Sequence, residues 1–380
     1  MNLNINSLIL IILPLNPYWS INPIPLNLLI LVWIKERIAA IMKMKHKKKY
    51  RFTISLFFAL LLTSCNPFSI QLLYQGETSV KTHARALDYQ DSLLYIGSQK
   101  GNVTTFDYVN LCEVDNVPIS GAEDLRGLVI GPQKSIICIN SGKEGNVYLQ
   151  NDSAFQTVFK QSDLFLDGIC INDQGIGFAF GDPIDSKFSI LKTVDSGVTW
   201  HWMDTNCLPN ALVNEAAYAA SNCSMQLIDS TIYIGTGGGA VTRVLKSTDM
   251  GESWQYLNTP MVAGASYGIY ALSFWNAQEG VITGGSYLDS SYCDSMTFIT
   301  NDGGQSWTNI SKGLPGYMSS IQSSKDGKLI VATGRMGTYY SLNQGEKWKL
   351  LTKRAYYTVK FSDSYVFLSG KNGRIGIYSF

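Results

Sequence analysis

Histidine is scarce in this sequence: three residues in 380, one of them (His46) within a basic stretch near the N-terminus. A metal centre built on imidazole is therefore not expected from the two that remain, His83 and His201. The seven cysteines do not supply one either, since no two have the close paired spacing of a zinc site. An excess of one charge is also missing, with 30 Lys and Arg against 29 Asp and Glu. Residues 1–65 hold eight of those cations and one of the acids, so the rest carries 22 against 28 and is acidic. Nucleic acid is excluded as a partner on that ground, because affinity for it comes mainly from neutralising phosphates. Beyond the N-terminal region no stretch keeps a helical period long enough to predict a helix. A dinucleotide cofactor is excluded too: "GTGGG" (Gly235 to Gly239) has neither the following helix pattern nor the downstream acid that a phosphate loop needs. No cofactor is expected.

What is present begins with a targeting signal. Lys43, Lys45, Lys47, Lys48, Lys49 and Arg51 form a basic block, followed by "FTISLFFALLLTSC", an apolar run ending at Cys65. Basic block, short apolar segment and small residue before Cys predict a bacterial lipoprotein signal over residues 42–64, with Cys65 acylated as the mature N-terminus. The run is short for a bilayer span, which takes roughly 20 residues; an ordinary signal peptide or short membrane helix is the alternative. Residues 1–41, rich in Asn, Ile, Leu and Pro, are either a further membrane segment or translated upstream DNA. The second is favoured, with the start at Met42 or Met44, because a basic region normally opens a signal. The expected location is the cell envelope, lipid-anchored, with the outer membrane preferred. In an exported chain thiols can oxidise. Cys207 and Cys223 flank one connection and are the disulfide candidates, whereas Cys138 in "SIICIN" and Cys170 in "GICIN" sit in strand-like runs and read as buried thiols.

Strand signals dominate from residue 65 onward: "LLYIGSQKGNVTTF", "IGFAFGDPIDSKFSILKT", "TIYIGTGGGAVTRVLKS" and "YVFLSGKNGRIGIYSF" are short apolar runs punctuated by Gly, Asn and Asp. An octapeptide recurs among them as "TVDSGVTW" (193–200), "STDMGESW" (247–254), "TNDGGQSW" (300–307) and "SLNQGEKW" (341–348). The tryptophans stand 54, 53 and 41 residues apart, a period that marks propeller blades. Residues 65–380 are thus predicted to form one all-β propeller. Seven blades are expected, at roughly 80–110, 121–160, 164–204, 214–258, 266–310, 315–351 and 354–380, and six is the alternative. The last blade lacks an outer strand, and "SIQLLYQGE" (69–77) is expected to supply it and close the ring.

Within the octapeptide, Asp accepts bonds from N–H groups of its turn, Gly takes the positive φ, and Trp is a wedge between blades. Asp195, Asp249 and Asp302, with Asn343 in the fourth copy, are expected to staple the turns. Gly197, Gly251, Gly304 and Gly345 would hinge them, and Trp200, Trp254, Trp307 and Trp348 would wedge. All twelve are assigned to the scaffold.

These octapeptides resemble the Asp-box, or BNR, repeat, Ser/Thr-x-Asp-x-Gly-x-x-Trp, found in sialidases, xyloglucan-degrading propellers and photosystem II assembly-factor-like proteins. With "LPNALVNEAAYAASN" and "GIYALSFWNAQEGVITGGSY", the wider pattern resembles a bacterial family related to those assembly factors, often labelled oxidoreductase-like. Where such relatives usually carry Gly-Gly-Asp-Tyr, this chain has Gly284-Gly285-Ser286-Tyr287. The resemblance implies a propeller and a binding or assembly role. Sialidases are set aside because their Arg-Ile-Pro motif is missing; "GRIG" at the C-terminus lacks the Pro and the position.

Function in propellers gathers where the innermost strands begin. Counting back from the mid-blade Gly of each blade selects Arg85, Arg126, Asp167, Tyr270, Ser320 and Tyr357, and in the fourth blade Tyr218 with Glu215 before it. These are expected either to bind a polar ligand or partner side chain, or to pair with one another and plug the channel. No catalytic residue is assigned. The catalytic alternative is a glycoside acid/base pair drawn from Asp182, Asp185 and Glu215, although "GDPID" also reads as an Asx-type turn with Pro at its second position. The expected function is a non-catalytic, lipid-anchored scaffold that binds an envelope protein. The alternatives are a glycan-active hydrolase and a carbohydrate-binding propeller.

Overall fold

A computed structural model describes residues 69–380 apart from 151–153. The readings of residues 1–41, 42–64 and Cys65 lie outside these residues. Seven antiparallel sheets of four strands each form a ring, a seven-bladed β-propeller. Its innermost strands are Ala84–Gln90, Leu125–Ile130, Leu166–Ile171, Met225–Ile228, Tyr267–Phe274, Met318–Ser323 and Thr358–Phe361. The hydrophobic alternation that predicted strands also predicts the core, because each sheet buries both faces against its neighbours. Blades two and three share Ile137, Val147, Ile169 and Leu191, and blades five and six share Val281, Ile299, Ile321 and Ile330.

The ring closes as expected from the sequence. Gln71–Glu77 pairs antiparallel with Arg374–Ser379, so an N-terminal strand completes the C-terminal blade, with Gln71 opposite Ser379 and Glu77 opposite Arg374. Unpaired N–H and C=O groups on that edge are thereby satisfied. Lys360 of blade seven, at 2.9 Å from Asp88 of blade one, adds an ion pair between the last blade and the first.

The four octapeptides lie between the third and fourth strands of blades three to six. In the first, Asp195 Oδ1 accepts from Thr193 Oγ1 (2.8 Å) and from the Thr199 N–H (2.9 Å), while the Gly197 N–H donates to Thr193 Oγ1 at 3.0 Å. Asp249, Asp302 and Asn343 accept the same pair of bonds. Gly197 has φ 86°, and a Cβ there would lie 2.5 Å from Ile137 of the preceding blade. Gly251, Gly304 and Gly345 also have positive φ. Trp200 packs into the core shared by blades two and three, Trp254 into that of three and four, Trp307 four and five, Trp348 five and six. Each tryptophan wedges its own blade against the one before.

Two expectations are corrected. Cys207 and Cys223 are free thiols. Cys207 is held at the periphery beside Glu252, whereas Cys223 is buried next to Ser320. Burial also pushes the Cys170 thiol up to about 12. "GDPID" is not an Asx turn at Asp182. The strand Gly177–Ile184 runs through it with a bulge between Gly181 and Pro183, and the turn falls at Asp185 and Ser186. Both have positive φ (50° and 63°), which matches the twist of a two-residue hairpin.

Candidate functional site

Five of the seven innermost strands carry a bulge near their first residues. The extra residue is Arg85, Arg126, Asp167, Tyr270 or Ser319. A bulge re-aims the side chain of the unpaired residue, and these five all line one cavity of about 690 Å³ at that end of the ring. Tyr357 joins them from blade seven. In blade six the cavity residue is Ser319, one position before the expected Ser320. Ser320 is buried and accepts the Val359 N–H at 3.2 Å.

Blade four departs further from the counted pattern. Its inner strand begins at Met225, and residues 203–224 form a long connection instead. The bonds of that connection show where it runs. Asn222 accepts the Ile169 N–H (2.9 Å) and donates to Leu128 O (3.2 Å). Ser221 Oγ donates to Ser319 O at 2.8 Å, its own carbonyl accepts from Thr358 Oγ1 at 3.0 Å, and Cys223 O accepts the Leu272 N–H at 2.7 Å. Contact with blades two, three, five, six and seven places Ser221 to Cys223 on the propeller axis. The segment is a floor, and the cavity above it is closed at the bottom. Gly237 and Gly268 allow the connection to seat: Gly237 bridges Ala216, and a Cβ on it would lie 2.3 Å from Gly268 Cα.

Tyr218 therefore enters the cavity from this connection rather than from a strand. Its ring stacks on Tyr270 at 4.1 Å and its hydroxyl donates to Tyr267 O at 3.2 Å. Tyr317 meets Tyr270 edge-on at 4.9 Å. Burial pushes the Tyr218 hydroxyl up to about 12 and Tyr270 still higher, so both are neutral donors.

Glu215 does not reach the cavity. Its carboxylate is fully buried, gripped by the Arg243 guanidinium through two nitrogens, and accepts from Thr236 Oγ1 at 2.6 Å and the Leu212 N–H at 2.8 Å. The Arg243 cation takes up its charge. Asp185 is exposed at its hairpin tip and is not part of the cavity wall. The acid that shares the cavity with Asp182 is Asp167. Burial holds the Asp167 carboxyl well above the usual range, helped by Asp182 and opposed by Arg126. Burial raises Asp182 as well, against the bond it accepts from the Ala217 N–H. Among the described residues Asp167 Oδ2 has no hydrogen-bond partner.

The opposite wall is cationic. Arg126 is satisfied, with Asp124 at 2.8 Å and Ala219 O at 3.2 Å. The Arg85 Cζ stands over the Tyr357 ring, 4.3 Å from its centroid, and the buried Nε has no partner among the described residues. Arg335, Lys371 and Arg374 also line this wall, and none has an acid partner among the described residues. Burial raises the pKa of the Tyr357 hydroxyl, and the charges of Arg85, Arg335 and Arg374 oppose that rise. That hydroxyl is 2.6 Å from His83 Nδ1, and burial together with Arg85 lowers the histidine's pKa. His83 is thus a neutral partner at pH 7, while the guanidinium groups stay charged.

Counting inner strands missed Arg335, Lys371 and Arg374. Arg335 follows Gly334, the last residue of the strand Ile330–Gly334, Lys371 follows Gly370 just past the strand Tyr365–Ser369, and Arg374 opens the strand Arg374–Ser379. The turn between second and third strands returns to the same end of the ring as the start of the first, and that was the available signal. The octapeptide turns, between third and fourth strands, lie at the other end. No protein-family model matches this chain, and no curated protein matches it.

Proposed function

We propose that this protein is a non-catalytic, lipid-anchored propeller of the bacterial cell envelope that binds a partner protein at the cavity mouth. The observation that carries this reading is the mouth itself: four cations without acid partners among the described residues, above a closed floor. Charge of this kind in a recess of an otherwise acidic body focuses its field on an oppositely charged group. The Asp-box resemblance and its assembly-factor relatives agree with a scaffold role, since the four repeats are spent on turns remote from the cavity. The closing strand is entered at Gln71, at the end of the ring opposite Arg374 and the mouth.

The test is affinity capture from native membranes with the wild-type chain and an Arg335→Gln/Arg374→Gln variant. Capture of one envelope protein by the wild type, and its loss with the variant at unchanged melting temperature, is the expected result. Equal capture by both would sink the reading. Labelling cells with clickable palmitate, with Cys65→Ala as control, tests the anchor.

Asp167 and Asp182 favour a second reading, a glycan-active propeller, because two carboxyls line one cavity and a glycosidase works with a pair of them, one as acid and one as base or nucleophile. Turnover of labelled envelope or plant polysaccharide that disappears in Asp167→Asn would establish it.

A further inference from the structure

The wall of the cavity divides by chemistry. Blades one, six and seven contribute Arg85, Arg335, Lys371 and Arg374, while the other side presents Tyr218, Tyr270 and Tyr287. Tyr287 is exposed at the rim, the stacked pair Tyr218–Tyr270 lies deeper, and the floor segment prevents anything from passing through the ring. A flat protein surface cannot fill such a recess. A volume near 690 Å³ is that of a site for a small molecule.

From this we infer that the cavity binds a small organic oxyanion, its carboxylate or phosphate on the Arg85, Arg335 and Arg374 guanidinium groups and its uncharged, ring-shaped part against the tyrosines. The inference deepens the reading of the mouth as the recognition site, and rests on it. Guanidinium groups grip planar or tetrahedral oxyanions through two parallel bonds, and Arg85 is held ready by stacking on Tyr357 with its Nε unspent. Lys371 adds a point charge at the rim. Asp167, only 1% exposed, keeps Oδ2 unpaired among the described residues, which supplies a polar contact for a hydroxyl of the ring part. A second acid, Asp182, faces the same space and accepts the Ala217 N–H. Arg85, Arg335, Lys371 and Arg374 outnumber these two acids, so the cationic excess stands.

Titration calorimetry on the full chain in detergent tests the inference. The probes are 4-hydroxybenzoate, glucuronate and inorganic phosphate, with 4-hydroxybenzamide and glucose as neutral counterparts. A ring-bearing anion is expected to bind at least tenfold tighter than its neutral counterpart and tighter than inorganic phosphate, which has no ring. The Arg335→Gln/Arg374→Gln variant should lose roughly tenfold or more of that affinity, since each group removes a charge-assisted bond. Lys325→Gln, outside the cavity, should change nothing. Comparing the two ring carboxylates separates an aromatic ligand from a sugar acid. Equal binding of neutral and charged probes, undiminished affinity in the double variant, or binding of none of the anions would each overturn the inference. Anion binding without capture of a partner leaves this inference standing and removes the protein-partner reading. Capture without anion binding does the reverse.

Discussion

Asp249 is exposed, yet it holds four groups of one turn: the hydroxyls of Ser247 and Ser253, the Ser253 N–H and, through Ser247, the Gly251 N–H. Bonds from Ser253 lower its pKa to about 2, with the Ser247 hydroxyl contributing. A carboxyl depressed in the folded state stabilises above its unfolded value, near 3.9, and that contribution is lost as pH falls through about 2. Asp249→Ala should therefore cost about 1–2 kcal/mol at pH 7. The difference in melting temperature from wild type should shrink below pH 4 and vanish only below pH 2. A constant difference across that range would show that the ionised form is not what matters. All the partners of Asp249 lie within one octapeptide, and for that reason its role was legible from residue types and spacing. Trp307 marks the limit of such reading. Its indole N–H is buried without a partner among the described residues, whereas Trp200 donates to Gly197 O at 3.0 Å and Trp348 to Ile310 O at 2.8 Å.

Between elements, burial separates copies of one motif that look alike in sequence. Trp200 is 4% exposed and Trp254 only half-buried. Trp200→Ala should destabilise by about 3–5 kcal/mol, as a fully buried large aromatic does, and Trp254→Ala by distinctly less, both read from urea unfolding. Reversal of that order would show that the wedges are not ranked by packing. The connection 203–224 supplies the sharper test. Arg243→Met leaves the buried Glu215 carboxylate without its cation, and about 3–5 kcal/mol should be lost. Glu215→Gln/Arg243→Met should recover part of that cost, because the uncompensated charge is gone. Because Glu215 ties down the connection that carries Tyr218, loss of the pair should also weaken ligand binding without touching a cavity residue.

For the molecule as a whole, closure is the decisive contact. Removal of residues 69–77 exposes the edge of Arg374–Ser379 and takes Tyr74 away from Phe106, 5.1 Å between ring centroids. The shortened chain should lose its single cooperative melt and run as aggregate on size exclusion, since a free edge strand templates pairing with other copies. A monomeric, cooperatively melting truncation would show that six complete blades suffice. Closure also orders the two ends of the ring. The octapeptide turns and the entry of the closing strand share one end, and the cavity takes the other.

The all-β propeller, the strand that closes it and the turn chemistry of the octapeptides were legible in the sequence itself, because strand period, turn residues and repeat spacing are local properties; seven blades were expected with six as the alternative, and the fold decided for seven. Arg85, Arg126, Asp167, Tyr270 and Tyr357 were legible as cavity residues for the same reason: each lies near the start of an inner strand, at a similar distance from the mid-blade glycine. Tertiary structure decided what no window contains. It put Arg335, Lys371 and Arg374 on the cavity wall through turns in distant blades, buried Glu215 against Arg243, and paired Asp182 with Asp167 rather than with Asp185. It also turned residues 214–224, which read as the start of the fourth blade, into part of a connection that floors the cavity. Whether a cation is free or spent depends on which acid the fold brings within reach. That is a property of the closed ring and not of the neighbours in the chain.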